Sequence, residues 1–458
     1  MKHLLLSEII DIIDGTIVSK TVDDPLINRI ATRKSDRITN YTLVFFPHKS
    51  SVKDNLELKS TVIVTQRPHL FKDLENSFTI VSVKDSKIAY NKFIAYYRGL
   101  FSLDVIGITG TCGKTTTKEM VASILEVDRN IVKTILSRNS RFRNFKYLME
   151  IDEKTDAAVI EVGVGFPGGI EQFANYFHPS IGVITNIGID HVSGFKTHEA
   201  YIKEKAMMAK VLDKEDGILI LNKDDQIIQK LDLRSFKGKI LYFGLNKEAE
   251  IRASHIKYEE GGMKFYVHGH NGFAVCKING LGIHNVYNAL AALAVAVSLG
   301  IELRDAAKRL EKFSPVKSHL QLKKGINGST IIDDTWNTNS KSIESALEVL
   351  SSISGGKKTI AVLGDIEELG AISESEHRKI GDLIIKYKID QLITIGHESK
   401  YIAARALDLG MNPKEITILD DEGHLVEMLA KKMDTSTLVL IKKSMRNSFR
   451  SIRQLMAE

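Results

Sequence analysis

"VIGITGTCGKTTTKEMVASIL", residues 105 to 125, decides how the chain is read. It begins as a buried strand, turns through two glycines and a lysine, and leaves as a helix. Gly110 and Gly113 let backbone N–H groups come close to an anion, Lys114 supplies a point charge for terminal phosphates, and Thr115 opens the helix with a hydroxyl suited to Mg²⁺. The stretch is a phosphate-binding loop. The pattern G-x-x-x-x-G-K-[ST] would want glycine at position 108, where Ile108 stands, but the GKT core and its strand-to-helix setting hold.

Outward from this loop, from about residue 99 to 315, the runs "DVIGITG", "DAAVIEVGV", "SIGVITNIG" and "GILILN" are short apolar segments closed by polar or glycine-rich ends. Helical stretches separate them, which predicts a mostly parallel sheet wrapped by helices. A second alternation follows "FSPVKSHLQL": "STIIDDTW", "KTIAVLGD", "QLITIGH" and "TLVLIKK", interleaved with "SKSIESALEVLSSI" and "SEHRKIGDLIIKY". Before the loop, "YTLVFFP" and "STVIVTQ" read as strands of a small α/β domain. The expected architecture is α/β in three domains, over 1–98, 99–315 and 316–458: a small N-terminal domain, a central parallel-sheet domain carrying the loop, and a Rossmann-like C-terminal domain. Ligands of such sheets sit beyond the carboxyl ends of the strands.

Composition narrows the class. The chain has 458 residues, 43% hydrophobic and 26% charged, with only 7 Pro, as expected of a folded globular protein. The opening "MKHLLLSEIIDIIDG" is too short in its apolar part for a signal peptide and reads as an amphipathic helix. The longest apolar run, "ALAALAVAVSLGI", falls short of the roughly 20 residues a membrane span needs. Cys112 and Cys276 match no metal-ligand spacing, so a cytoplasmic setting is expected. The net charge of +6 is mild and clusters only in the tail at 442 to 454, which argues against nucleic acid as a partner. In the basic tail, Met445, Phe449, Ile452 and Leu455 recur at helical spacing and predict a packed terminal helix.

Phosphate loops serve several chemistries. "LNKDD" at 221 to 225 resembles the guanine-reading N-K-x-D of GTPases, but no D-x-x-G turn follows the second strand, so it reads as a strand-end loop. Glu161 lies within "VIEVGV", where a carboxylate among apolar residues needs a cation or hydrogen bonds to satisfy it. His191 follows "NIGID" at another strand end, where a metal ligand and a structural histidine are both open readings. Lys205, in "YIKEKAMM", reads by itself as an ordinary helix-surface lysine.

Together "GITGTCGKTTT", "TNIGIDHVSGF", "GLGIHNVYNALAALAVAVSLGI", "IIDDTWNTNSKSIESALEVL" and "AVLGDIEELGAISESEHRKIG" resemble, in order, the motifs of the Mur ligase family. These are ATP-dependent enzymes that add amino acids to peptidoglycan precursors. The nearest branch joins D-alanyl-D-alanine to a UDP-N-acetylmuramoyl tripeptide. The resemblance implies an N-terminal domain for the UDP-linked substrate, a central ATPase and a C-terminal domain that brings an amino acid or dipeptide. It implies a nucleotide site of Gly110, Thr111, Cys112, Gly113, Lys114, Thr115 and Thr116, with Asn285 and Asn288 on adenine and Asp334 on the ribose. The two asparagines could equally cap the helix that follows them. Thr115, Glu161 and His191 match metal-binding positions. Lys205 falls where the family carries a lysine carbamylated by CO₂, a change that turns a cation into a carboxylate-like group. Lys114, Lys205 and His191 are the expected catalytic set, in a monomer.

The departures fall near substrate. Cys112 stands where the family has Asn, and Trp336 where Tyr is usual, with Asn337 and Asn339 following the family pattern. His319 replaces an arginine expected to reach the ATP phosphates, and an imidazole with a pKa near 6.5 is a weaker phosphate partner than a permanent cation. "SRNSRFRNFKY" and "KKSMRNSFR" match the family only loosely, which keeps a different substrate pair in view. A GTPase and a nucleotide-binding protein without ligase turnover are the rivals from other classes.

Overall fold

The computed structural model describes residues 1–55, 58, 60–190, 192–212, 217–259, 261–270, 272–444 and 454–456. The chain divides into two compact units. The first comprises Met1–Asp104, Ser140–Ala158 and Gln172–His178, and the second Val105–Asn139, Val159–Glu171 and Pro179–Glu458.

The first unit holds a five-stranded sheet in the order Thr16–Ser19, Thr79–Ser82, Val62–Thr65, Thr42–Phe45, Arg29–Ala31, whose last four strands run parallel. The helix Ser86–Gly99 starts where the Asp85 carboxylate accepts the N–H groups of Lys87 and Ile88. It buries Ala89, Phe93, Ile94 and Tyr97. The Tyr97 hydroxyl donates to the carbonyl of Ile151 at 2.8 Å, which fastens Ser140–Ala158 to this unit.

The larger sheet has nine strands among the described residues, in the order Gly272–Asn279, Gly262–Gly269, Ile251–Glu259, Lys239–Gly244, Ile218–Asn222, Ile181–Ile184, Asp104–Thr109, Ala157–Glu161, Ile131–Lys133. The strands read from the sequence form its parallel centre. The three from Ile251 to Asn279 are an antiparallel extension that the apolar runs did not announce. Their residues alternate between buried and exposed, as on a sheet covered on one face only. Against the centre packs the helix Ile283–Ser298, whose alanines and Leu290, Leu293 and Val295 are buried.

The second unit also carries a six-stranded sheet, ordered Gln321–Lys324, Thr330–Asp334, Thr437–Lys442, Lys358–Gly364, Gln391–Ile395, Ile416–Leu419. All but its first strand pair in parallel. Helices Ser340–Ser352, Ser373–Lys386 and Lys400–Asp408 supply one apolar layer, and Leu425–Ala430 with Leu455 the other. Apart from Leu455, the terminal helix expected on Met445, Phe449 and Ile452 lies outside the described residues. Among the described residues no helix is long and apolar enough to cross a membrane.

Candidate functional site

The phosphate loop sits at the carboxyl end of Asp104–Thr109 and is clamped from the neighbouring strand. Asn186 grips both backbone polar groups of one residue: its Oδ1 accepts the Cys112 N–H and its Nδ2 donates to the Cys112 carbonyl, each at 3.0 Å. The Thr185 hydroxyl donates to the same carbonyl at 2.6 Å. Two glycines permit this closeness. A Cβ on Gly110 would lie 2.0 Å from Thr185 Oγ1, and one on Gly113, held at φ 80, would lie 2.2 Å from Asn288 Oδ1. Gly113 then caps the helix Lys114–Leu125 in a left-handed conformation that only glycine adopts without strain. Thr116 is buried on that helix's first turn.

Lys114 is folded back on its own loop, with Nζ donating to the carbonyls of Gly110 and Thr111 at 2.9 Å each. Thr115 Oγ1 donates to Glu161 Oε2 at 2.9 Å, and Asn139 Nδ2 donates to Glu161 Oε1 at 2.6 Å. Both oxygens of this buried carboxylate are therefore satisfied, as its apolar strand requires. Asn139 is a participant that sequence reading missed. His191 lies outside the described residues.

Lys205 is not the helix-surface lysine that its local sequence suggests. It is 1% exposed, because its side of the helix His198–Val211 faces the phosphate loop rather than water. Its Nζ reaches Thr109 Oγ1 and the Gly110 carbonyl at 3.0 Å each. Lys114 donates to the same Gly110 carbonyl, so two amines meet at one oxygen. Burial and the neighbouring Lys114 cation push the Lys205 pKa well below the usual lysine range.

The "HNVYN" asparagines are both buried. Neither caps the helix, whose N-cap is Gly282 at φ 95. Asn285 Nδ2 donates to the Leu281 carbonyl at 2.7 Å, and Asn288 links Asn285 to Thr117. At the rim of the six-stranded sheet, Asp334 accepts from the buried Lys442 at 2.6 Å, and Lys442 also donates to the Asn337 carbonyl. Asn339 caps Ser340–Ser352 through Ser342 and accepts from Cys112 Sγ at 3.3 Å. His319 stands between two left-handed residues, Ser318 and Leu320, and packs its ring on Trp336 with centroids 5.7 Å apart. Burial pushes its pKa down, as it does for nearby His284, which falls to about 4.

The NKDD turn is used within the fold. Asp225 accepts the N–H groups of Ile187, Ile227 and Ile228 at 3.0 Å, and Asp224 accepts from the Tyr287 hydroxyl at 2.9 Å. Carboxylates so engaged are strand-end ties rather than base readers. His377, from "ESEHRKIG", is likewise structural: Nδ1 donates to the Ser373 carbonyl and Nε2 accepts the Ile366 N–H.

Comparison with known proteins bears on the whole chain. The family model for the Mur ligase middle domain matches residues 108–296, and that for the Mur ligase glutamate ligase domain matches residues 320–444. A UDP-N-acetylmuramoyl-tripeptide–D-alanyl-D-alanine ligase of Buchnera aphidicola is 33% identical over 329 residues, 72% of this chain and 71% of the relative. A crystal structure of MurF from Acinetobacter baumannii superposes with a TM-score of 0.85 at 24% identity, covering 99% of this chain and 98% of that one. MurF of Thermotoga maritima in complex with ADP gives 0.77 at 22% identity, covering 93% and 96%.

Proposed function

The chain belongs to the Mur ligase family, and from that membership we propose that it joins a UDP-N-acetylmuramoyl tripeptide to D-alanyl-D-alanine at the expense of ATP. The observation that carries the reading is the convergence of Lys114, the Thr115–Glu161 pair and a buried Lys205 on one edge of a parallel sheet. The three-domain division at 1–98, 99–315 and 316–458 belongs to the same proposal. So do a cytoplasmic setting and a monomeric working unit, since one chain supplies every residue invoked.

A carboxylate is a poor electrophile because its leaving group would be an oxide. Transfer of the ATP γ-phosphoryl to a carboxylate oxygen gives an acyl phosphate, whose phosphate can leave when an amine attacks the carbonyl carbon. The products are an amide, ADP and phosphate. Lys114 leaves the Gly110 and Thr111 carbonyls to meet the phosphates, where its charge offsets charge in transfer. Asn186 and Thr185 keep the loop's backbone in place.

Thr115 and Glu161 offer two buried hard oxygen donors 2.9 Å apart, which suits Mg²⁺ and its neutralisation of phosphate charge. His191 is the further ligand expected from the family motif. Burial and the Lys114 cation push Lys205 toward the neutral form, whose free electron pair attack on CO₂ requires. The nitrogen forms an N–C bond and loses a proton to solvent, leaving a carbamate anion beside the loop. Asn285, Asn288 and Asp334 are assigned to the nucleoside. His319, whose pKa lies below the ordinary imidazole value, contributes little charge at neutral pH.

The test is a matrix of UDP-linked acceptors against amino acids and dipeptides, with ATP or GTP, read by mass spectrometry for amide product. The proposal expects a UDP-linked pentapeptide from the tripeptide, D-alanyl-D-alanine and ATP. Amide from another pair alone would move the substrate assignment, and equal rates with GTP would reopen the guanine reading.

A further inference from the structure

Tyr201 is used by none of the roles assigned so far, yet it is 1% exposed and touches the centre of the site. It lies one turn before Lys205 on the helix His198–Val211, so the two side chains share a face. Its ring cannot swing: Phe195 meets it edge-on at 5.3 Å, His198 stacks at 6.4 Å, and the Lys205 Nζ lies 5.0 Å from its centroid. That enclosure aims the hydroxyl at the phosphate loop, where it lies 3.1 Å from Thr111 Oγ1. Thr111 Oγ1 also accepts the Gly188 N–H at 2.8 Å, and the Thr111 carbonyl is one of the two that hold Lys114.

We propose that Tyr201 is a positioning residue for the nucleotide, whose hydroxyl pins Thr111 and so fixes the turn from which Lys114 is presented. Asn186 and Thr185 clamp the loop at Cys112 from the end of the neighbouring strand, and Tyr201 holds the preceding residue from the helix His198–Val211. A loop held at successive residues by two separate elements has its N–H groups arranged before the phosphates arrive, so less ordering remains for binding to supply.

The functional meaning rests on the ligase reading, but the test is nucleotide binding, which a chain without ligase turnover would also report. Tyr201→Phe keeps the ring among Phe195, His198 and Lys205 and removes only the hydroxyl. It is expected to weaken ADP binding, measured calorimetrically, by about five- to tenfold, the range for one lost hydrogen bond. In turnover the ATP KM should rise by a similar factor while the KM of the UDP-linked substrate and the melting temperature stay put. Thr111→Val, which also gives up the Gly188 N–H, should weaken ADP binding at least as much, and the double variant should be no worse than Thr111→Val alone, because the Tyr201 contact is already lost there. ADP affinity unchanged in Tyr201→Phe, or fully additive losses in the double variant, would overturn the proposal. Absence of amide product in the wild type would instead count against the ligase reading and leave the ADP comparison standing.

Discussion

Two lysines in the larger unit are each 1% exposed and have opposite surroundings. Lys205, beside the phosphate loop, meets a hydroxyl and a carbonyl, with another amine sharing the carbonyl. Lys442, at the end of the strand Thr437–Lys442, meets the Asp334 carboxylate at 2.6 Å. Burial without a bonded counter-charge drives an amine toward its neutral, nucleophilic form, whereas at Lys442 the carboxylate in contact offsets the cost of burying a charge. The phosphate edge is thus built so that one group can change its charge. The rim of the six-stranded sheet is built as a contact pair, a buried amine against a buried carboxylate.

The comparison breaks first at the phosphate edge. Lys114→Ala should lower amide formation by about a thousandfold while leaving the urea unfolding midpoint in place, since the cation offsets charge in the transition state and packs little. Lys205→Ala should lose at least a hundredfold, on the same scale, and short carboxylates such as acetate or propionate should restore part of it. Activity without rescue in that variant would mean that Lys205 carries no carbamate.

Lys442→Met tests the other side, and its effect should fall on stability. Leaving Asp334 buried and unpaired costs about 3–5 kcal/mol, visible in urea denaturation. Replacing both partners, as in Lys442→Met with Asp334→Leu, should recover much of that stability but not nucleotide affinity. Next to this pair, His284 has a pKa depressed to about 4, so the folded state favours the neutral ring. Its contribution is full above the ordinary value of about 6.5 and fades as pH falls toward 4, by about 3 kcal/mol in total. Stability measured across that window should fall less steeply in His284→Gln.

His319→Arg sharpens the comparison with the smallest effect. With its pKa pushed down, His319 stays neutral from about pH 7 to 8.5, so wild-type ATP affinity should be flat there. Arginine, charged throughout, should tighten ATP binding about tenfold, the scale of one charge-assisted hydrogen bond. Affinity that weakens with rising pH in the wild type would identify a protonated His319 on the phosphates.

What the sequence made legible was local. The glycines of the loop, the apolar strand before it and the helix after it lie within residues 105 to 125 and constrain one another directly. The paired glycines at 110 and 113 are needed because Thr185 and Asn288 come so close. What it hid were relations across distance. Asn139 and Glu161 lie 22 residues apart, Tyr201 and Thr111 90, and Asp334 and Lys442 108. Lys205 was misread by its own residues because a lysine among "KEKAMM" looks solvated until the loop it faces is known. The capping reading of Asn285 and Asn288 failed for a local reason: Gly282, three residues earlier, had already started the helix.

A ligase of this design activates its carboxylate by phosphorylation before an amine attacks. That order of events leaves an isotopic trace, read by supplying the UDP-linked tripeptide with its reacting carboxylate labelled with ¹⁸O, together with ATP and D-alanyl-D-alanine, and analysing the released phosphate by mass spectrometry. One ¹⁸O should appear in the phosphate for each amide formed, because the phosphorylated oxygen leaves with the phosphoryl group. Phosphate free of the label, released while amide accumulates, would contradict it.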